Sequence, residues 1–172
     1  MFNVVKLAKQ IIHHRQGVIL ERKVKVFHTA RLSAKKGGKI VVGHNSLLNE
    51  NVFLCASGGT IDIGDNVSIN RNSIIVCKSK VIIGSGSSLG PNVCIYDHNH
   101  RIGKNGFYKS EFTVGAITIG KNVWIAANCT ILKGVTIGDN SIIGAGCVVS
   151  SDVPANTLVK ADRTLQFMPL HE

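Results

Sequence analysis

The stretch ITIGKNVWIAANCTILKGVTIGDNSIIGAGCVVSSDVP, Ile117–Pro154, divides into six-residue words almost without remainder. From Ile119 the words are IGKNVW, IAANCT, ILKGVT, IGDNSI, IGAGCV and VSSDVP. An aliphatic residue opens each of them: Ile119, Ile125, Ile131, Ile137, Ile143 and Val149. Small or branched residues fill the fifth place: Val123, Cys129, Val135, Ser141, Cys147 and Val153. A helix repeats apolar residues every three or four positions and a half-buried strand every second, so neither yields one in six. A triangular prism does, with three short strands per coil and each opening aliphatic stacked inward on the coil below. Three words make one coil, which puts Ile119 directly beneath Ile137. A fixed period of this kind takes precedence over any local helix or strand assignment.

Upstream the words are less regular. VGHNSL and LNENVF follow Ile40, LCASGGT carries an extra residue or corner loop, and IVCKSKVI shifts the register by two. IGDNVS (Ile63), INRNSI (Ile69), IGSGSS (Ile83), LGPNVC (Leu89) and IYDHNH (Ile95) keep the frame. Between Val18 and Lys39 the alternation VKVFHTARLSA predicts an irregular first coil, with Lys35-Lys36-Gly37-Gly38 as a basic turn. Residues 1–17 place Val4, Val5, Leu7, Ala8, Ile11 and Ile12 on one face. They read as a short amphipathic helix that caps the prism or meets a neighbouring subunit. Arg101–Gly115 (RIGKNGFYKSEFTVG) matches no word and is expected as an excluded loop, the place where a solenoid builds sites. The tail, residues 155–172, loses the period and is expected to fold back as a short strand or helix over the last coil. The expected organisation is thus one all-β domain over residues 1–172, with the prism spanning residues 18–154.

Aromatic content is low and glycine frequent, as thin coils with many tight corners require. No run of about 20 apolar residues is present, and the N-terminus lacks a small-residue cleavage site, so neither a span nor a secretory leader is expected. The five cysteines form no C-x-x-C pair and read as reduced core thiols of a cytoplasmic protein. The formal net charge is +10. The basic residues are not interleaved with aromatics and no nucleic-acid-binding motif is present, so an acidic small molecule or anionic polymer fits the charge better.

The chemistry concentrates in Tyr96-Asp97-His98-Asn99-His100-Arg101, at the edge of the interruption. Two histidines two apart in an extended segment face the same side, and histidine is the side chain suited to general-base work near neutral pH. Polar corner residues making turn hydrogen bonds would give the same string.

These words, the interruption after His100 and the following Ile117–Ile125 segment together resemble the hexapeptide-repeat acyltransferases. The closest likeness is to the maltose- and galactoside-type and polysaccharide O-acetyltransferases, with Asn99-His100-Arg101 also similar to the streptogramin-type antibiotic acetyltransferases. The resemblance implies a left-handed parallel β-helix, a hand that the period does not supply and that ordinary crossovers do not share. It implies acetyl-CoA as donor, a sugar or polysaccharide hydroxyl as acceptor, and direct attack without an acyl-enzyme. His100 is then the base, His98 stands second, and Asp97 fixes an imidazole tautomer. An oxyanion donor falls near Ala126-Ala127. Asn70, Tyr96, Lys78 and Trp124 fall beside the acceptor, although Asn70 equally suits a solenoid corner. Coenzyme A is implied in a groove between subunits of a homotrimer, against Trp124, Ala126, Ala127, Gly144, Ala145 and Val149–Asp152 with its Ser150 and Ser151.

The tail departs from the family pattern: Ser150-Ser151 stand where relatives have Thr-Lys. Lys160 and Arg163 are left as candidates for the phosphate contacts. Cys77-Lys78 stand where galactoside-type enzymes carry acidic residues, which fits an anionic acceptor such as a sialic or uronic acid unit, although Lys78 equally suits a solvated coil corner. No resident metal, nucleic acid or membrane partner is expected. Two other readings remain open. One is a γ-class carbonic anhydrase-like zinc enzyme, using His98 and His100 with His44 or His28. The other is a non-catalytic β-solenoid scaffold.

Overall fold

A computed structural model describes residues 17–104 and 106–161. The expected N-terminal helix and Arg163 lie outside the described residues. The chain winds into three parallel sheets that form the faces of a prism. The first face stacks Val18–Leu20, Lys39–Val42, Thr60–Ile63, Lys80–Ile83, Ile117–Ile119 and Thr136–Ile137. On the second lie Lys25–Val26, Leu47–Leu48, Ser68–Ile69, Ser88–Leu89, Trp124–Ile125, Ile142–Ile143 and Leu158–Val159. The third carries Arg31–Lys35, Phe53–Ser57, Ile74–Cys77, Cys94–Tyr96, Thr130–Ile131 and Val148–Val149.

Opening aliphatics point inward and meet their equivalents one coil on. Ile119 pairs with Ile137, Ile125 with Ile143 and Ile131 with Val149, as the six-residue period requires. Ile61, Ile69, Ile75, Ile95, Ile119, Ile125 and Ile131 are fully buried. At about 25 cal/mol per Å², these columns of branched side chains carry the main favourable term of the fold.

The corners close with asparagine. Asn45, Asn66, Asn122, Asn140 and Asn156 adopt positive φ, as do Asn51, Asn72, Asn92 and Asn128. Asparagine tolerates this left-handed region better than other side chains do. Its amide also bridges coils: Asn51 Nδ2 donates to Asn72 Oδ1 at 3.1 Å, Asn92 to Asn128 at 3.0 Å and Asn140 to Asn156 at 3.2 Å. Where the first column lacks asparagine it has Gly86 (φ 76°), since a Cβ there would lie 2.4 Å from Asn122 Oδ1. At the fifth place, buried Ser46, Ser73, Ser87 and Ser141 each donate to a carbonyl of the next coil and accept an amide from it. No buried side-chain polar atom of the described residues lacks a partner.

Two boundaries differ from expectation. The interruption is not an irregular loop from Arg101 but an antiparallel hairpin, His98–Gly103 with Gly106–Val114. It starts three residues early because His98 leaves the ladder to pair with Val114, and a bulge follows His100. The tail keeps the period at first: Leu158–Val159 adds a strand beside Ile142–Ile143, and Val153 bridges Ile137. That last coil is short, with Asn140 and Asn156 separated by 16 residues instead of the 18 between Asn122 and Asn140, so the frame resets at Val153. Among the described residues no helix is long and apolar enough to cross a membrane.

Candidate active site

The hairpin leaves the edge where the third sheet turns into the first, and its root holds a buried polar cluster. Asp97 is fully buried. Its carboxylate accepts the Lys78 amide at 2.9 and 3.0 Å, the Ser79 amide at 2.6 Å and the Cys77 thiol at 3.2 Å. His98 Nδ1 lies 2.9 Å from Asp97 Oδ1, with the histidine side chain only 13% exposed. A carboxylate accepting other donors has no proton to give, so Nδ1 carries the hydrogen and Nε2 keeps a free lone pair. Two backbone amides one coil below thus fix the acid that fixes the imidazole.

Burial and the neighbouring Asp97 carboxylate push the Cys77 thiol up to about 12. Cys77 is therefore a hydrogen-bond donor in this site and not a nucleophile.

His100 sits on the outer part of the hairpin. Its Nδ1 lies 3.0 Å from the Tyr108 carbonyl on the opposite strand, and its ring is exposed. Both histidine rings meet Phe112, His98 edge-on at 5.4 Å and His100 tilted at 4.7 Å. Lys78 Nζ sits 3.8 Å over the centre of the same ring. One aromatic residue therefore gathers both histidines and the lysine. Arg101 and Glu111 bridge the two hairpin strands at 2.6 Å. Tyr96 ends the strand that leads into Asp97 and faces outward on the third sheet, half-buried.

The remaining candidates lie elsewhere on the same chain. Asn70, Ala126, Ala127, Gly144, Ala145 and Lys160 follow strands of the second sheet, on the edge where it turns into the third. Ser150 and Ser151 are exposed on the histidine edge, two coils beyond it. Trp124 is 53% exposed on the second sheet, in register with Ile142, which pairs in turn with Leu158. The Ala126 amide is bound to the Ile143 carbonyl at 2.8 Å, which leaves that of Ala127 as the available donor of the pair. One chain thus brings together Asp97, His98, His100 and Lys78, with Tyr96 next to them in sequence on the outward face of the third sheet. It leaves Asn70, Trp124 and the alanines on another edge.

Sequence reasoning ranked the histidines from motif position and missed the anchoring of Asp97, which depends on amides 18 and 19 residues earlier. The coil length of about 20 residues there was the available signal, since it stacks Asp97 on the Lys78-Ser79 turn. His44 faces Glu21 at 3.9 Å near the first coil, and among the described residues no group of three or more His, Cys, Asp or Glu side chains is placed to hold a metal ion.

Residues 116–151 match the model of the bacterial transferase hexapeptide family (six repeats). The chain is 32% identical over 135 residues to the Escherichia coli K12 protein named "Putative lipopolysaccharide biosynthesis O-acetyl transferase WbbJ", covering 73% of this chain and 69% of that one. It is 40% identical over 121 residues to the galactoside O-acetyltransferase of the same organism, covering 68% and 57%. Among solved structures, a hexapeptide-repeat acetyltransferase of Vibrio cholerae complexed with acetyl coenzyme A is similar at a TM-score of 0.65 and 34% identity, over 73% of this chain and 71% of that one. The chain spans less than three fifths of the length of several curated relatives it matches. The repeat, the left-handed β-helix it builds and relatives matched along more than two thirds of their length make this chain a member of the hexapeptide-repeat acyltransferase family.

Proposed function

We propose that this chain is an acetyltransferase that moves an acetyl group from acetyl-CoA to a hydroxyl of a sugar or polysaccharide unit, with His98 as general base. The observation that carries the reading is the buried Asp97 carboxylate on His98 Nδ1 at the root of the hairpin. Nε2 takes the proton of the acceptor hydroxyl as its oxygen attacks the thioester carbonyl. The tetrahedral oxyanion is met by a preorganised amide, for which Ala127 is the candidate. Collapse expels the coenzyme A thiolate, and the imidazolium returns the proton to it. Asp97 holds the tautomer throughout and offsets the charge of the imidazolium. A protonated, buried Cys77 supports direct transfer over a thiol-borne acyl-enzyme.

The geometry favours His98 over His100 because only His98 is held by a carboxylate and shielded from water. His100, on the exposed strand, is positioned to contact the acceptor, as are Lys78 and Tyr96. Galactoside and lipopolysaccharide in the names of relatives support a carbohydrate acceptor, and bound acetyl-CoA or coenzyme A in solved relatives supports the donor. Lys78 beside His98 favours an anionic unit, such as sialic acid, over a neutral one.

We also infer a homotrimer. The third sheet faces outward with the apolar rows Phe53, Ile74, Cys94 and Cys55, Val76, Tyr96. Packing that face around a threefold axis sets the histidine edge of one protomer against the Asn70–Ala127 edge of the next. The two groups of candidates left apart in one chain then meet, and Trp124, Gly144, Ala145, Lys160, Ser150 and Ser151 border the donor groove. Five free thiols favour a cytoplasmic site of action.

The direct test is thiol release from acetyl-CoA against neutral sugars, acidic sugars and matched amines. Release with hydroxyl acceptors, and product mass raised by one acetyl group, is expected. No release with any hydroxyl acceptor would contradict the reading.

A further inference from the structure

Five lysines gather on the histidine edge below the hairpin. Lys35 and Lys36 make the first turn on that edge, Lys39 opens the next strand, and Lys78 and Lys80 flank the turn two coils further on. Lys39 pairs with Thr60 and Thr60 with Lys80, so these three share one outward row. Strands in a sheet lie about 4.8 Å apart, which sets the Lys39 and Lys80 backbones about 10 Å from each other. Between the two cationic levels the chain turns through Ser57-Gly58-Gly59, a low floor without bulky side chains.

The charge is only partly compensated locally. None of the five lysines joins an ion pair among the described residues. The carboxylate of this edge, Asp97, is buried and already serves Cys77, the two backbone amides and His98. Asp62 stands one outward position further along its strand, away from the turn.

We propose that this edge is a track for an extended acidic glycan, whose carboxylates lie on Lys36, Lys39 and Lys80 while one sugar unit reaches Lys78 and His98. This rests on the acyl-acceptor reading of the His98 edge and names the form in which the acceptor arrives. A flexible chain with one charge per sugar ring matches cations spaced by two strands. Duplex nucleic acid, with a charge every 1.7 Å or so, calls for a denser array, and single strands call for stacking aromatics, which this floor lacks. A membrane surface calls for apolar side chains beside the bases, and here they are Ser57, Gly58, Gly59 and Thr60.

The test is fluorescence anisotropy with a labelled hexamer of galacturonic acid and, as its neutral match, a labelled maltohexaose. It uses the full-length protein without acetyl-CoA, at low and moderate salt. The acidic hexamer is expected to bind more tightly than the neutral one, with affinity falling as salt rises. The double variant Lys39→Gln/Lys80→Gln is expected to weaken it roughly 2- to 30-fold, the range for two exposed charges, and to flatten the salt dependence. A Lys23→Gln/Lys121→Gln control, changing charge on the edge where the first sheet turns into the second, should leave binding unchanged.

Equal binding of both hexamers, or an unaffected double variant, would overturn the proposal. So would tighter binding of a duplex DNA, or of vesicles with anionic lipid, at matched charge. Binding needs no donor, so a failure of acetyl transfer with the acidic-glycan preference intact would count against the enzyme reading alone.

Discussion

Asp97 is a charged side chain with no access to water, and four donors are what make that tolerable. Its consequence is a histidine with one defined tautomer. In Asp97→Asn the side-chain amide can turn its NH2 toward Nδ1, which favours the proton on Nε2 and removes the base. We expect kcat to fall by up to about 10²–10⁴-fold, the full contribution of a positioned base. KM for acetyl-CoA should stay near wild type, and steady-state kinetics reads the split. The Cys77 thiol gives a second prediction. It keeps its proton in the fold to about pH 12, whereas the ordinary thiol value is 9.0. Unfolding is therefore favoured progressively as the pH rises from 9 toward 12, and this contribution to stability is intact below 9. At pH 8.5 a thiol reagent should leave Cys77 unmodified in the native protein and label it once the chain is unfolded in denaturant, as peptide mass mapping would show. From sequence the string Asp97-His98-Asn99-His100 marked the place but not the order of its parts. Spacing carries no information on which imidazole finds a carboxylate.

At the level of strands and corners, the hexads were legible because one aliphatic per word has a single geometric meaning. Ile119, Ile125 and Ile131 stack where the period puts them. What the words did not disclose was the reset at Val153 and the hairpin start at His98. Both are changes of register, and a period cannot announce its own interruption. The asparagine columns are the complementary device. Ile119→Ala should cost about 2–5 kcal/mol, as a cavity in a column that cannot collapse. Asn140→Ala should cost about 1–2 kcal/mol, from the left-handed backbone alone, plus its bridges to Asn122 and Asn156. Asn140→Gly should recover most of the backbone part. Denaturant unfolding of the three variants checks the ranking.

For the whole molecule, the prism explains why a single chain looks incomplete. The edges that carry Asp97-His98 and Asn70–Ala127 border the same apolar sheet, and the threefold packing we propose would join them between copies. Sedimentation should give three times the chain mass, and Ile74→Lys, a charge on that sheet at a position with no role toward the acceptor, should shift it toward the monomer with transfer lost in parallel. The net charge of +10 was readable from composition, but its direction was not. Only the stacking of Lys39 on Thr60 on Lys80 shows part of it lying along the edge that leads to His98. The role of His98 as base is tested most directly by the rate of acetyl transfer in two single variants, measured side by side at saturating acetyl-CoA. His98→Ala should lose about 10²–10⁴-fold in kcat, and His100→Ala should keep kcat within a few-fold while raising KM for the acceptor. The reverse pattern, with His100→Ala inactive and His98→Ala near wild type, would contradict it.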